Sequence, residues 1–243
     1  MNKNLVLIIG ASSDIGVGLI KEIGQNSLIL AHCNKSKADL LNLSREIDSE
    51  MEIFKADLSV EKEVISMMDD IENRYGVPNA IVHLAAPKVE NIRFNDICWD
   101  DFERNIEIGL KSAVLIFNRF LPAMSKRKHG KIVLMLSSYT LCVPPKALSH
   151  YIVSKYALLG LMKSLASEYS DKNIQINSVS PSMVNTKFLS NINEKLVELN
   201  AYNHPLKRNA SVRDVVQIIQ VLISSQSDYL NGVNIPITGG NVF

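Results

Sequence analysis

The chain has 243 residues, of which 47% are apolar, so it can bury a sizeable hydrophobic core. Its 26 basic and 25 acidic residues leave a formal charge of +1, which argues against a protein that binds nucleic acid or an anionic membrane surface through bulk charge. The three cysteines, Cys33, Cys98 and Cys142, show neither CxxC nor metal-ligand spacing, which predicts reduced thiols, a cytoplasmic location and no metal site.

Short apolar runs alternate along the chain with longer amphipathic stretches, which predicts strands alternating with helices. The first apolar run is too short for a signal-peptide core or a membrane span, so we expect a strand there. The predicted strands are 5–9, 27–31, 52–55, 79–84, 131–136, 175–179 and 232–237. The predicted helices are 15–23, 37–48, 60–75 with Ser59 as N-cap, 99–126, 150–170 and 212–224.

Strands that are apolar throughout, each followed by a helix, are typical of a parallel sheet covered on both faces. No break in composition marks a domain boundary, so we expect one α/β domain over residues 1–243. The least regular stretch, residues 187–209, is either a lid over a site or an exposed connection, and the pattern alone favours neither.

A turn of small residues follows the first predicted strand and opens the first helix. Such a turn lets backbone N–H groups and the helix N-terminus face a pyrophosphate. The spacing departs from G-x-G-x-x-G, so a plain glycine turn is the alternative, but the strand–turn–helix context favours a dinucleotide site. Its candidate residues are Gly10, Ser12, Ser13, Asp14, Ile15 and Gly16.

A tyrosine and a lysine, Tyr151 and Lys155, share one face at the start of a predicted helix. A nearby ammonium stabilises a phenolate, so we expect Lys155 to lower the pKa of Tyr151 towards the range of a general acid or base. Taken alone, this spacing is frequent by chance. Ser137 and Ser138 follow the fifth predicted strand, at the sheet edge where ligands of such folds bind, and a hydroxyl there can donate to a carbonyl oxygen.

Together these features resemble the classical short-chain dehydrogenase/reductase family over essentially the whole chain. The resemblance is carried by residues 10–16, Asp57-Leu58, Ser138, Tyr151, Lys155, the segment 177–181 with Thr186, and Gly239-Gly240. It implies a Rossmann-type three-layer sandwich with a seven-stranded parallel sheet, a nicotinamide cofactor, and a substrate lid at residues 187–209.

The resemblance also implies the roles of individual residues. Tyr151 exchanges a proton with the substrate oxygen, Ser138 holds that oxygen, and Lys155 binds the ribose. Asp57 contacts the adenine and Thr186 the nicotinamide carboxamide. The further cofactor contacts that it implies are Leu58, Ala85, Ala86, Pro181 and Val184.

Four departures from the family pattern matter. Ile9 stands where the family has threonine, and Asp14 where it has glycine; we expect the Asp14 carboxylate to turn away and cap the helix or the neighbouring turn. His83-Leu84 replaces two asparagines, and Gly109 stands where the family has the asparagine that shapes a relay water. The alternative hypothesis is therefore a nicotinamide-nucleotide-binding protein with little or no catalysis, such as a sensor or assembly partner.

The end of the second predicted strand favours NADP(H) over NAD(H). Residues 27–38 contain no carboxylate to accept from a ribose 2′-hydroxyl. Lys35 and Lys37 can meet a 2′-phosphate, although a solvated turn explains them nearly as well. His32 and Asn34 complete the candidate cofactor contacts at this edge.

The substrate is a small-molecule carbonyl, and an apolar cleft would suit an acyl chain, a polyketide or a sterol-like ring. The candidate lining residues, which core packing explains equally well, are Tyr139, Leu141, Val143, Pro144, Leu148, Met183, Phe188 and Leu189. By similarity the default subclass is 3-oxoacyl-(carrier protein) reductase. Residues 126–128 can meet an acidic carrier protein or form a solvated helix end. The resemblance implies a homodimer or homotetramer.

Overall fold

Seven parallel strands form one sheet in the order β3-β2-β1-β4-β5-β6-β7 in the computed structural model, which describes residues 4–24, 27–47 and 49–242. The strands are β1 (Asn4–Ile9), β2 (Ser27–Cys33), β3 (Glu50–Lys55), β4 (Ala80–His83), β5 (Gly130–Met135), β6 (Ile174–Pro181) and β7 (Asn234–Ile237). The helices are α1 (Asp14–Ile23), α2 (Lys37–Glu46), α3 (Glu61–Tyr75), α4 (Trp99–Asn105), α5 (Ser112–Arg127), α6 (Ser149–Glu168), α7 (Glu194–Asn203) and α8 (Val212–Leu222).

Helices cover both faces of the sheet. Successive residues of a strand point to opposite faces, so each strand contributes side chains to two cores. Leu5, Leu7 and Ile9 of β1 pack in one core with α3, α5 and α6. Val6 and Ile8 pack in a second core with α1, α2 and α8. The predicted three-layer Rossmann-type sandwich with a seven-stranded parallel sheet is therefore confirmed.

The strand order reverses at β1, whose neighbours are β2 on one side and β4 on the other. Ile9, the last residue of β1, pairs with His83 of β4, and His83 pairs in turn with Leu134 of β5. The carboxyl ends of these three strands thus form one edge. In open α/β sheets ligands bind at such a topological switch point.

The predicted N-cap of the third helix is wrong. The residue before α3 is Val60, and its neighbour Ser59 donates through both its N–H group and its hydroxyl to Asp57 Oδ1. Glu63 of the first turn accepts from the Asp57 N–H group at 2.7 Å. The Ser59 hydroxyl is therefore bonded to Asp57, two residues after β3, and does not cap α3.

The long helical region predicted for residues 99–126 is confirmed, and it contains a π turn, Ile106–Lys111, between α4 and α5. A π turn inserts an extra residue into the helix and is frequent at functional sites. Gly109 lies buried within this turn.

The segment 187–209 contains a helix that the sequence pattern did not predict. Asn193 caps α7 by accepting from the Lys195 N–H group at 3.0 Å. Three asparagine side chains tie this helix to the chain after β6: Asn200 donates to Asn209 at 2.7 Å, and Asn209 donates to Asn185 at 3.2 Å. The segment is thus anchored above the carboxyl edge of the sheet by amide contacts. Across the described ranges, no helix is long and apolar enough to cross a membrane.

We predict that Gly16→Ala weakens binding of NADPH, the implied cofactor, by about tenfold or more and lowers Tm. A Cβ at Gly16 would lie 2.5 Å from the backbone oxygen of Ala11, so the turn before α1 has to shift. The control is Gly18→Ala in the same helix, where the contact at 2.5 Å is a Val212 methyl group that can move. Fluorescence titration with NADPH should separate the two variants, and equal weakening in both would contradict the prediction.

Candidate active site

The turn after β1 is shaped by Ser13. Its hydroxyl donates to the Gly10 carbonyl at 2.8 Å and accepts from the Gly16 N–H group at 3.1 Å. The helical ladder starts with the Val17 N–H group, which donates to the Ser13 carbonyl at 2.8 Å. The N–H groups of Asp14 and Ile15 precede that ladder and are the donors that a helix N-terminus offers to a phosphate.

His32 supports this turn from beneath. Its ring is 2% exposed; Nδ1 accepts from the Gly10 N–H group at 3.1 Å, and Nε2 lies 3.0 Å from the Ala56 carbonyl. An amide can only donate, so the imidazole is the neutral tautomer with its proton on Nε2. Burial lowers the pKa of His32, which favours that neutral form. Both ring nitrogens are thus engaged in holding the loop, and the direct cofactor contact expected for His32 stays a prediction.

Asp14 corrects a second expectation. Its carboxylate caps neither the helix nor the neighbouring turn, but accepts from the N–H group of Lys187 at 2.6 Å. Lys187 begins a short 3-10 helix, Lys187–Leu189, at the start of the segment 187–209. The turn after β1 and this segment are thus joined by one charge-assisted hydrogen bond between residues 173 positions apart.

The candidate residues for the adenosine part of the cofactor lie at the carboxyl ends of β2 and β3. Hydrogen bonds from the Ser59 hydroxyl and backbone lower the pKa of Asp57, and a hydrogen bond from Asn34 and the charge of Lys35 act in the same direction. Leu58 is 4% exposed and packs in the core, so that only its backbone can reach a ligand. The predicted contacts Asn34 and Asp57 are therefore brought together.

The other predicted cofactor residues lie along the same edge. A Cβ at Gly10 would lie 3.2 Å from the Ala85 backbone nitrogen, so the phosphate turn passes close to the chain after β4. Ala85 and Ala86 are both half-buried there. Val184 forms an isolated bridge with Ala210, and the Thr186 hydroxyl donates to the Val184 carbonyl at 3.3 Å. Pro181 ends β6 beside them.

Tyr151 and Lys155 lie on the first turns of α6, facing the end of β5. They are 8% and 2% exposed. The Lys155 Nζ atom lies 5.5 Å from the centroid of the Tyr151 ring and donates to the Met135 carbonyl at 2.8 Å. The structure thus brings the phenol and the ammonium together at the switch-point edge.

Burial sets the protonation of this pair. It raises the pKa of Tyr151 to about 12, against a hydrogen bond with Ser137 that lowers it. It lowers the pKa of Lys155 to about 8. The expectation of a lowered tyrosine pKa is therefore corrected, because desolvation of the buried phenol is the largest effect on it and raises it. At neutral pH the phenol is protonated and the amine is charged.

Ser137 is a candidate to which the sequence reasoning gave no role of its own. Its hydroxyl caps the 3-10 helix Ser138–Thr140 by accepting from the Tyr139 N–H group at 3.3 Å, and it acts to lower the pKa of the Tyr151 phenol. Ser138 is 5% exposed at the start of that helix, beside the pair. The sequence shows the two adjacent serines, and the spacing to Tyr151 assigns the family role to Ser138. Sequence spacing cannot show in which direction either hydroxyl points.

An apolar wall lies beside the phenol. Tyr151 packs with Val89, Leu148 and Ile152, and three half-buried residues cover this cluster, namely Tyr139, Phe188 and Ile192. The rings of Tyr151 and Phe188 are 6.4 Å apart. Five of the eight predicted lining residues are not part of this cluster, namely Leu141, Val143, Pro144, Met183 and Leu189. Val143 is 92% exposed, and Pro144 is exposed beside it.

A nucleotide-binding turn, a buried tyrosine–lysine pair and an apolar wall at one sheet edge define a Rossmann-type oxidoreductase site. The sequence model of the family described as enoyl-(acyl carrier protein) reductase matches residues 10–241. The chain belongs to the classical short-chain dehydrogenase/reductase family, as the resemblance predicted.

Curated relatives cover nearly the full length. The 3-oxoacyl-(acyl-carrier-protein) reductase FabG of Buchnera aphidicola subsp. Baizongia pistaciae is 23% identical, over 98% of this chain and 97% of its own. The FabG protein of Thermotoga maritima is 26% identical, over 97% and 96%. The oxidoreductase UcpA of Salmonella typhimurium is 29% identical, over 97% and 93%.

Solved structures share the fold. A gluconate 5-dehydrogenase from Burkholderia cenocepacia, in complex with NADP and tartrate, superimposes with a TM-score of 0.90 at 20% identity, covering 99% of this chain and 95% of its own. Levodione reductase gives a TM-score of 0.87 at 23% identity, covering 98% and 96%.

We predict that Asp14→Ala increases hydrogen exchange at the Lys187 amide by about tenfold, because a charge-assisted bond of this kind contributes on the order of 1 kcal/mol at a partly exposed site. Hydrogen-exchange mass spectrometry of the segment 187–209 measures it. The control is Asp39→Ala on the exposed side of α2. Unchanged exchange in Asp14→Ala would show that the contact does not hold the segment.

Proposed function

We propose that the protein uses NADPH to reduce a ketone to a secondary alcohol, with Tyr151 as the general acid. The observation that carries the proposal is the buried pair itself: a protonated phenol with a charged ammonium beside it, at the carboxyl end of β5. When bound, the nicotinamide supplies the hydride. The chain supplies the proton, the orientation of the carbonyl and the exclusion of water.

The proton comes from the Tyr151 hydroxyl. Its high pKa keeps the phenol protonated at neutral pH, so that it can donate to a carbonyl oxygen as negative charge develops there. The hydroxyl of Ser138, at the start of the 3-10 helix after β5, would hold the same oxygen. The Lys155 ammonium stabilises the phenolate that remains and binds the nicotinamide ribose.

The residues of the edge suit a dinucleotide. The close packing of Gly10 and Gly16 leaves the N–H groups of Asp14 and Ile15 for the pyrophosphate, together with Ser12 and Ser13. Asp57 and the backbone of Leu58 would hold the adenine. Ala85, Ala86, Pro181, Val184 and Thr186 would hold the ribose and nicotinamide.

Three features support NADPH rather than NADH. Residues 27–38 contain no carboxylate, Lys35 lies close enough to Asp57 to lower its pKa, and Asn34 hydrogen bonds with Asp57. A 2′-phosphate at the end of β2 would meet Lys35 and Asn34, since residues 27–38 contain no carboxylate; the acid of this edge is Asp57, which follows β3. The gluconate 5-dehydrogenase of similar fold is an NADP complex.

The substrate class that we favour is a 3-oxoacyl thioester or a related ketone. The apolar wall of Leu148, Phe188 and Ile192 suits an acyl chain, and two FabG relatives act on carrier-bound 3-oxoacyl groups according to their names. The segment 187–209 would serve as the lid, since it holds Phe188 against Tyr151. The Arg127 guanidinium donates to the carbonyls of Val77 and Pro78, so it is engaged within the chain. Of residues 126–128, an acidic carrier protein would therefore meet Lys126 and Lys128.

We further propose a homodimer or homotetramer in the cytoplasm. Val114 of α5 and Val153 and Tyr156 of α6 are 43%, 48% and 47% exposed. These residues put apolar surface on the two long helices, where a second copy can cover it. Gel filtration giving a mass of 27.0 kDa would contradict the oligomer.

We predict that Tyr151→Phe lowers kcat for ketone reduction by about 100-fold or more, because the proton donor is lost. NADPH affinity should change little, since the ring remains. Initial rates on a panel of 3-oxoacyl thioesters, diketones and keto-sugars measure the first quantity, and fluorescence titration the second. Tight NADPH binding by the unmodified protein without turnover on any carbonyl would instead support the alternative hypothesis of a non-catalytic nucleotide-binding protein.

We predict that the reductase rate is level near pH 7 and falls as the pH rises through about 8, where Lys155 loses its charge. The stability should respond in the opposite direction. Because the pKa of Lys155 is lowered from 10.5, the unfolded chain binds more protons between about pH 8 and pH 10.5, so this group makes the folded state more stable as the pH rises. Rates and thermal unfolding measured together would distinguish deprotonation from unfolding; a rate that rises through pH 8 would contradict the assignment.

A further inference from the structure

Buried hydroxyls lie on the α6 face of β6, towards the carboxyl edge of the sheet. On this face the strand begins with Ile174 and Ile176, which pack in the core with α6. It continues with Ser178 and Ser180, and both serines are fully buried. The strand therefore turns from apolar to polar on the face that carries Tyr151. Because burying a hydroxyl costs free energy unless it is hydrogen bonded, these serines need partners.

An amide from β7 joins these hydroxyls to the chain after β5. The Asn234 Oδ1 atom accepts from Ser178 Oγ at 3.1 Å and from Ser180 Oγ at 2.8 Å. The other end of the amide faces Thr140, with 3.5 Å between Asn234 Nδ2 and Thr140 Oγ1. The hydroxyls of Ser180 and Thr140 are themselves 3.3 Å apart. Side chains from β6 and β7 thus converge on Thr140, which is 7% exposed.

Thr140 in turn holds the peptide that precedes Ser138. It is the last residue of the 3-10 helix that Ser138 begins, and both its hydroxyl and its N–H group donate to the Ser137 carbonyl, at 2.8 and 2.9 Å. That carbonyl lies in one peptide plane with the Ser138 nitrogen. On the other side, the Ser138 carbonyl accepts from the Leu141 N–H group at 2.9 Å and from Cys142 Sγ at 3.4 Å. The peptide planes before and after Ser138 are therefore both held.

We propose that Thr140 is a positioning residue that fixes the direction of the Ser138 hydroxyl towards the substrate oxygen. Ser180 and Asn234 anchor it to β6 and β7. The inference rests on the proposed function, in which Ser138 holds that oxygen. The flanking peptide planes set the direction in which a side chain leaves its Cα, so holding them limits how far the Ser138 hydroxyl can turn away. A donor that is fixed in advance stabilises developing charge without reorienting during the reaction.

The first test compares two substitutions of Thr140. Thr140→Val keeps the branched shape and removes the hydroxyl, so we expect kcat for ketone reduction to fall about tenfold while KM and NADPH affinity stay within about twofold. Thr140→Ser keeps the hydroxyl and should retain kcat within about twofold. An unchanged kcat in Thr140→Val would overturn the proposal. Equal losses in the two variants would also overturn it, because the hydroxyl would then not be the group that matters.

The second test uses a matched pair of fully buried serines. Ser180→Ala removes a hydroxyl that contacts Thr140, whereas Ser227→Ala removes one that lies beside Lys131 at the start of β5, at the opposite edge of the sheet. We expect both variants to lower Tm, because each leaves buried polar groups unpaired. Only Ser180→Ala should lower kcat, by about threefold or more. The same kcat in both variants would overturn the anchoring of Thr140 from β6.

The third test determines whether Thr140 acts through Ser138. Ser138→Ala alone should lower kcat by about 100-fold, because a donor to the developing oxyanion is lost. Adding Thr140→Val should then change kcat by less than about twofold, because the hydroxyl that Thr140 orients is gone. A further tenfold loss in the double variant, on the order of the loss in Thr140→Val alone, would mean that the two residues act independently and would overturn the proposal.

The fourth test needs no turnover and so separates this inference from the proposed function. The Leu141 N–H group donates to the Ser138 carbonyl, so its hydrogen exchange, followed by NMR, reports how firmly the 3-10 helix is held. We expect Thr140→Val to raise that exchange by about tenfold and Ser227→Ala to leave it unchanged. Unchanged exchange in Thr140→Val would overturn the inference even in an active enzyme. Faster exchange in a protein that reduces no carbonyl would overturn the proposed function and support the anchoring of Ser138.

Discussion

The site depends on one buried charge. The Lys155 ammonium is held between α6 and the end of β5 by the Met135 carbonyl, and burial lowers its pKa to about 8 while raising that of Tyr151 to about 12. Desolvation therefore keeps the proton on the phenol, and it brings the pH at which the lysine loses its charge down to about 8. A cleft with more water would leave both groups near their ordinary values, and the phenol would then be less distinct from any surface tyrosine.

Several contacts that shape the cleft join parts of the chain that are far apart in sequence. His32 of β2 holds the first residue of the phosphate turn, and Asp14 of that turn holds the start of the segment 187–209. Both bonds use backbone N–H groups, which any residue supplies. The acceptors in these bonds are side chains, His32 and Asp14, whereas the donors are backbone groups. The sequence therefore does not show which residue each acceptor will bind. The carboxylate of Asp14 at the turn after β1 is likewise engaged by the Lys187 N–H group.

The fold was predictable because burial on both faces leaves a direct mark on a strand. Runs such as residues 5–9 and 131–136 are apolar at every position, and this pattern located all seven strands to within a few residues. The helix α7 was missed because its residues do not form an apolar stripe, and its position comes from asparagine contacts with distant residues. The sequence assigned the N-cap of α3 to Ser59 because serine is a common N-cap residue. Residue preference alone does not show that the Ser59 hydroxyl is bonded to Asp57 instead.

The sequence by itself determined the layered parallel sheet, the glycine turn after β1 and the tyrosine and lysine one helical turn apart, because each is a local pattern of residue types. Only the tertiary structure decided that His32 supports the turn, that the Met135 carbonyl holds the Lys155 ammonium, and that His83 pairs with Ser112. The physical reason is that a side-chain direction and a pKa depend on burial and on partners from other strands. Those partners meet only when the carboxyl ends of β1, β4 and β5 come together in one edge.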